Sequence, residues 1–104
     1  MPDKISGSLG LCRKAGKLLL GFDTAVESMQ KGEAVLVLLA KDCSKRTVRG
    51  VKTAADENGC ETAALPLTMD EISFAVAKRA GVLAVCDSGF AKKFKTLIDS
   101  EHIA

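Results

Sequence analysis

The sequence predicts an α/β fold, a three-layer α/β/α sandwich around a four-stranded, mostly parallel (mixed) sheet. Helical and strand periodicities alternate along residues 1–104 without a linker or a low-complexity run, so we expect one domain. The segments 34–40 and 81–86 are apolar on both faces, which is typical of strands that helices cover on both sides. Because ligands of such sheets bind at the strand ends, we expect a site in the loops there.

Helical spacing alternates with short apolar runs, and each change marks a new element. In chain order these are a helix at 4–15, a strand at 17–20, a helix at 22–31, a strand at 34–40, a helix at 44–58, a strand at 61–65, a helix at 68–77, a strand at 81–86 and a helix from 88. In the first helix Ile5, Leu9 and Cys12 share one face. Gly16 and Gly32 end the first two helices, since glycine favours helix C-termini.

Capping residues define the helices of the second half. Ser44 is a good N-cap for the third helix, and Gly59 lies just beyond its end. Pro66 ends the weak third strand. The run "TMDE" at 68–71 is a capping box that opens the fourth helix, and Ser88 is the expected cap of the last one.

Composition excludes several classes of protein. Four Phe without Trp or Tyr argue against the base-stacking platform of single-strand binders. Four cysteines without a C-x-x-C pair predict buried, reduced thiols and neither a metal nor a cofactor. With no export signal and no long apolar span, we expect a cytoplasmic monomer that does not contact a membrane.

The charges are distributed unevenly along the chain. Residues 1–50 carry nine Lys and Arg against five Asp and Glu, whereas residues 51–104 carry six against eight. A basic half is where an anionic partner would dock, although an ordinary mixed surface has the same composition.

One hypothesis is that the anionic partner is a phosphate substrate and that the protein is a cysteine phosphatase. Cys43 and Arg49 have the C-x5-R spacing of a phosphate cradle, after an apolar strand and before a helix. However, the loop contains no glycine, and Val48 belongs to the buried stripe of the following helix, so Arg49 would point away from Cys43. Asp42 and Asp87 also follow buried strands, where capping of the next helix is their expected role. We therefore predict that the protein is not an enzyme.

Several stretches resemble the ribosomal protein L7Ae/L30e family. The most specific is "QKGEAVLVLLAKD" at 30–42, and "LCRKAGKLLLG" at 11–21 supports it. The stretch "VLAVCDSGFAKKF" at 82–94 is similar to the small bacterial members often called YlxQ- or YbxF-like. The resemblance spans nearly the whole chain. It implies an α/β/α sandwich that binds structured RNA, such as a kink-turn or ribosomal RNA, in association with the ribosome.

The resemblance also implies a binding surface built from three segments. These are the start of the second helix, the loop after the central strand and the loop before the last strand. The matching residues are Gly21, Phe22, Asp23, Thr24, Lys41, Asp42, Lys45, Arg46, Lys78, Arg79, Ala80, Gly81 and Val82. Each basic group among them is also consistent with an ordinary solvated surface.

The first segment departs from the family's Gly-x-Asn-Glu-x-x-Lys pattern. Gly21 matches, but Asp23 replaces Asn, Thr24 replaces Glu, and Glu27 stands where a Lys would contact the RNA backbone. Asp23 and Thr24 are then expected to cap the helix. A carboxylate near phosphate is repulsive, so these changes argue against kink-turn recognition more than against RNA binding. The alternative is a divergent member that acts as a protein-interaction module.

Overall fold

The computed structural model describes the backbone of residues 3–103 and the side chains of residues 4–100. Helices and strands alternate throughout, as the periodicity predicted. In chain order the elements are α1 (Asp3–Lys14), β1 (Leu18–Leu20), α2 (Phe22–Gln30), β2 (Leu36–Leu39), α3 (Lys45–Asn58), β3 (Glu61–Ala64), α4 (Met69–Val76), β4 (Val82–Val85) and α5 (Ser88–Ile103).

The four strands form one sheet in the order β1-β4-β2-β3. β2 is parallel to β3, whereas β4 lies between β1 and β2 and is antiparallel to both. The mixed sheet and the sandwich are confirmed, but most of the pairing is antiparallel. Strands covered by helices are apolar on both faces in either direction, so the pattern of apolar residues does not reveal which way β4 runs.

The sheet separates two hydrophobic clusters. Leu36 and Leu38 of β2 pack into the cluster beneath α1, α4 and α5, where Phe94 is fully buried. Val37 and Leu39 pack on the opposite face, beneath α2 and α3. Alternate residues of a strand point to opposite faces, so the continuous apolar run of β2 serves both clusters.

Most of the predicted helix boundaries are confirmed. The Ser44 hydroxyl accepts a hydrogen bond from the Thr47 N–H, and Gly59 ends α3 in the left-handed conformation. Both bonds of the capping box at the start of α4 form. Both Asp87 and Ser88 were expected to cap the last helix. The carboxylate of Asp87 accepts a bond of 2.8 Å from the Phe90 N–H, so the prediction for Asp87 is confirmed and the prediction for Ser88 is wrong.

The cysteines are free thiols in the structure. Burial raises the pKa of Cys12 to about 12, with smaller contributions from Asp87 and Cys86. Among the described side chains, no three His, Cys, Asp or Glu residues are grouped as metal ligands would be. No helix within the described range has both the length and the apolar character to cross a membrane.

Strand direction brings the loops of interest together. Leu20 at the end of β1 pairs with Leu83, and Leu39 at the end of β2 pairs with Val82. The ends of β1 and β2 therefore lie at the same edge of the sheet as the beginning of β4. The loops that leave or enter the sheet at this edge are those that the sequence singled out.

Candidate nucleic-acid interface

Backbone hydrogen bonds join the three predicted segments at this edge of the sheet. The N–H of Gly21 donates to the carbonyl of Val82 at 2.9 Å, and the N–H of Ala40 donates to the carbonyl of Gly81, also at 2.9 Å. The start of α2 and the end of β2 are thus both tied to the start of β4. We call the surface formed by residues 21–24, 41–46 and 78–82 the strand-end surface.

Two further hydrogen bonds connect the loop after β2 to the start of α4 and to the segment just before it. The N–H of Lys41 donates to the carbonyl of Leu67 at 2.7 Å. The carboxylate of Asp42 accepts a bond of 2.8 Å from the N–H of Met69, the first residue of α4. Asp42 therefore binds the start of α4. Capping of the next helix would have required it to bind the start of α3, so that prediction is wrong. The Asp42 side chain fixes the loop after β2 to the helix that precedes residues 78–82.

The start of α2 is open to solvent. Gly21 is the N-cap with φ 107° and ψ 155°, a conformation that favours glycine, and it has no side chain to cap the helix. Asp23 and Thr24 lie within the first turn and are exposed, so the capping role predicted for them is wrong. No side chain caps the N–H groups of the first turn, which is also the case in anion sites at helix N-termini.

Glu27 has a partner of opposite charge. Its carboxylate lies 2.8 Å from the Lys31 ammonium, one turn farther along α2. The hydrogen bond and charge of Lys31 lower the pKa of Glu27, and the same contact raises the pKa of Lys31. The repulsion of a phosphate by Glu27 is therefore offset in part by this neighbour.

The segment before β4 begins with an unusual backbone conformation. Ala77 ends α4 at φ 61°, in the left-handed region that side chains disfavour. Lys78 and Arg79 follow and are both exposed. Arg79 forms an ion pair of 3.2 Å with Asp70, in which both side chains are more than half exposed. Such a pair contributes about 0–1 kcal/mol, so a phosphate can compete for Arg79.

The apolar residues of this segment are less accessible than their predicted role implies. Ala80 and Val82 are 8% and 3% exposed, so both residues offer little surface to a partner. Gly81 lies against α4 and the loop after β2, since a Cβ there would be 3.2 Å from Sδ of Met69 and 3.4 Å from Sγ of Cys43. This position favours glycine because of close packing.

Cys43 and Arg49 do not form a phosphate cradle. Cys43 lines a groove of about 340 Å³ beside β2 and β3, together with Lys52. Arg49 lines a different groove, between α2 and α3. Burial, followed by the nearby Asp42 carboxylate, raises the pKa of Cys43, whereas a nucleophilic cysteine needs a lowered one. Cys43 fills space, as expected.

The basic residues of the strand-end surface are available to an anion. Lys41, Lys45, Arg46 and Lys78 are exposed. No ion pair joins any of them to a carboxylate among the described side chains. A cation without a partner contributes its full charge to the field that a phosphate experiences.

A groove next to the strand-end surface, between α2 and α3, was not predicted. The ring of Phe22 lies against Gly50 of α3, where an added Cβ would be 3.0 Å from it. Phe22 and Gly50 line a groove of about 650 Å³ that begins at the strand-end surface. The helical spacing of Arg46 and Gly50 places them on one face of α3 and was the available signal.

Known proteins are similar to this chain over most of its length. A protein named "RNA-binding protein YlxQ" from Enterococcus faecium is 32% identical over 97 residues, which cover 92% of each chain. The Bacillus subtilis protein of the same name is 31% identical over 96 residues, covering 88% of this chain and 91% of that one. A structure of a Bacillus halodurans protein of unknown function superposes with a TM-score of 0.84 and 27% identity, covering 90% of this chain and 95% of that one.

The family model agrees with these pairwise similarities. It matches residues 3–95, from the beginning of α1 into α5. The match includes all four strands and the whole strand-end surface, in the order in which the fold brings them together. By this match the chain is a member of the ribosomal protein L7Ae/L30e/S12e/Gadd45 family.

Proposed function

We propose that the protein binds structured RNA through the strand-end surface. The observation that carries the proposal is the joining of three loops by backbone hydrogen bonds at one edge of the sheet, with exposed basic residues on two of them. Further support comes from the two YlxQ relatives, which are named as RNA-binding proteins. A rigid, basic surface of this kind suits RNA that is recognised by shape and phosphate positions.

Phosphate contacts would supply most of the affinity. Lys41, Lys45, Arg46 and Lys78 provide four exposed cations, and the start of α2 adds N–H groups that no side chain caps. Each phosphate that is neutralised releases counterions, so the affinity should fall steeply with salt. Asp23 and Asp42 reduce the attraction locally and confine the phosphate path to the basic side chains.

The proposed RNA class is ribosomal or other compact RNA. Within this class, the kink-turn is the RNA that depends most on the residues at the start of α2. Asp23 lacks the amide donors of the Asn in the family pattern, and Glu27 replaces a cation. Replacing Asp23→Asn should therefore strengthen binding to a kink-turn hairpin more than binding to other structured RNA. Equal effects on both RNAs would argue that α2 contributes charge alone.

The test of RNA binding starts with the RNA that copurifies with the full-length protein, which is sequenced. Mobility shifts are then measured for the recovered RNA and for a kink-turn hairpin at rising salt. Lys78→Ala should weaken binding and reduce the salt slope by about one, because one phosphate contact is lost. Lys92→Ala on α5 removes an exposed cation away from the surface and should change neither. No shift of any structured RNA at low salt would refute the proposal.

Association with the ribosome is a separate part of the proposal. A monomer that binds ribosomal RNA in the cytoplasm should sediment with ribosomal particles from cell extracts. High salt should release it, because the contacts proposed are mainly with phosphates. Sedimentation at the top of the gradient at low salt would restrict the function to non-ribosomal RNA.

One observation favours the alternative of a protein-interaction module. Phe74 on α4 is 89% exposed, and Leu11 on α1 is 56% exposed. Exposed large apolar side chains often mark protein contacts. Phe74→Ser should release a copurifying protein under this alternative, and should leave RNA binding unchanged under the main proposal.

A further inference from the structure

The groove between α2 and α3 extends away from the strand-end surface. One wall consists of Phe22 and Val26 of α2, one helical turn apart. The other wall is a single face of α3, formed by Arg46, Gly50, Thr53 and Glu57 together with Arg49. From residue 46 to residue 57 it follows α3 for about 16 Å.

Its aromatic wall is partly free. Phe22 is 40% exposed although its ring contacts Gly50. Because residue 50 has no side chain, the edge of the ring packs directly against Gly50, and the rest of the ring stays exposed to the groove. A planar group can stack there on one face of Phe22, as unpaired bases do on aromatic side chains.

Charge distinguishes the two ends of the groove. Arg46 and Arg49 lie at the end nearest the strand-end surface, and Glu57 lies at the other. Neither arginine forms an ion pair with a carboxylate within the part of the chain whose side chains are described. A phosphate is therefore attracted to the first end and repelled from the second. The volume, about 650 Å³, is in the range of small-molecule sites.

We propose that this groove holds one unpaired nucleotide of the bound RNA, with its base on Phe22 and its phosphate between Arg46 and Arg49. The occupant is RNA because the groove is continuous with the strand-end surface through Phe22 and Arg46, and because its open end is basic. Thr53 offers a hydroxyl to the edge of the base. The inference rests on the proposed function and adds a nucleotide beyond the structured element.

The first measurement uses the isotope-labelled full-length protein and hexauridylate as the probe. Adding hexauridylate should shift the amide signals of Gly50 and Thr53. Arg49→Glu should abolish the shifts, because it repels the phosphate. Lys52→Ala is the matched control, since Lys52 is an exposed cation on the same helix that lines the other groove.

The second measurement compares a blunt kink-turn hairpin with hairpins carrying a short uridine tail at either end. A tail at one end should tighten binding of the wild type on the order of tenfold, the range of one base stacked on an aromatic ring. Phe22→Ala should remove this gain, and Lys52→Ala should keep it. For each variant, the affinity for the tailed hairpin is divided by the affinity for the blunt hairpin. This ratio removes any effect that the Phe22 substitution has on binding of the blunt hairpin itself. Thermal melting checks that each variant remains folded.

The two proposals fail differently. If the wild type binds the blunt hairpin, but no tail adds affinity and the groove amides do not move, the nucleotide site is refuted and the RNA function stands. If neither structured RNA nor hexauridylate is bound, both are refuted. If hexauridylate does not shift the amide signals of the groove and Phe22→Ala instead releases a copurifying protein, the groove is a protein site and the inference is wrong.

Discussion

Replacing Ala77→Gly should stabilise the protein. Ala77 is the only residue other than glycine with positive φ in the described part of the chain, at φ 61° and ψ 23°. A left-handed conformation costs a residue with a Cβ roughly 1–2 kcal/mol, whereas glycine adopts it freely. Glycine also increases the entropy of the unfolded chain, and this offsets about 0.4–1 kcal/mol of the gain from relieving the strain. We therefore expect the free energy of unfolding to rise by about 0.5–1 kcal/mol.

Urea denaturation measures this change through the midpoint, with an unchanged slope if the unfolded state keeps its compactness. The matched control is Ala75→Gly, two residues earlier within α4. There the backbone is helical, so glycine should destabilise by about 1 kcal/mol. If the left-handed conformation of Ala77 is strained, the free energy of unfolding should rise with Ala77→Gly and fall with Ala75→Gly. Destabilisation by both substitutions would show that Ala77 is not strained in solution, and would refute the reasoning.

Three further predictions concern α3, Arg79 and the buried thiol. Gly50→Ala should stabilise α3 by about 0.5–1 kcal/mol, because the exposed Phe22 ring can move from the new Cβ. Gly50→Ala should also reduce the gain in RNA affinity that a uridine tail provides. If urea denaturation shows that Gly50→Ala destabilises the protein instead, the Phe22 ring cannot move and the prediction is wrong. Asp70→Ala frees Arg79 from its ion pair and should raise both the RNA affinity and the salt slope, whereas Asp99→Ala on α5 should do neither. Stability should fall between pH 9 and pH 12, because Cys12 keeps its proton in the folded state while the unfolded chain releases it. The slope contributed by this thiol is about 1.4 kcal/mol per pH unit, and Cys12→Ala should lack it when urea midpoints are compared across that range.

The element boundaries were predictable because local signals determine them. Ser44, Gly59 and the capping box at 68–71 act through backbone bonds within a few residues. The apolar run of β2 likewise predicted a strand buried on both faces. At the start of α5 two adjacent polar residues could cap, and the choice of Asp87 over Ser88 depends on side-chain geometry that the sequence alone does not contain.

Contacts between distant segments were harder to predict. Asp42 binds the N–H of Met69, a residue 27 positions away, and this pairing has no local signature. The ion pair between Arg79 and Asp70 and the packing of Phe22 on Gly50 are of the same kind. Each depends on how helices sit on the sheet, which propensity and periodicity leave open.

The direction of β4 is the step on which the candidate site depends. In a parallel sheet, the loop that enters a strand lies at the edge opposite to the loops that leave its neighbours. If β4 ran parallel to β2, Lys78 and Gly81 would therefore lie across the sheet from Lys41 and Gly21. The antiparallel pairing of Leu39 with Val82 instead places all three segments at one edge. A sheet that is more antiparallel than predicted is thus what makes a single strand-end surface possible.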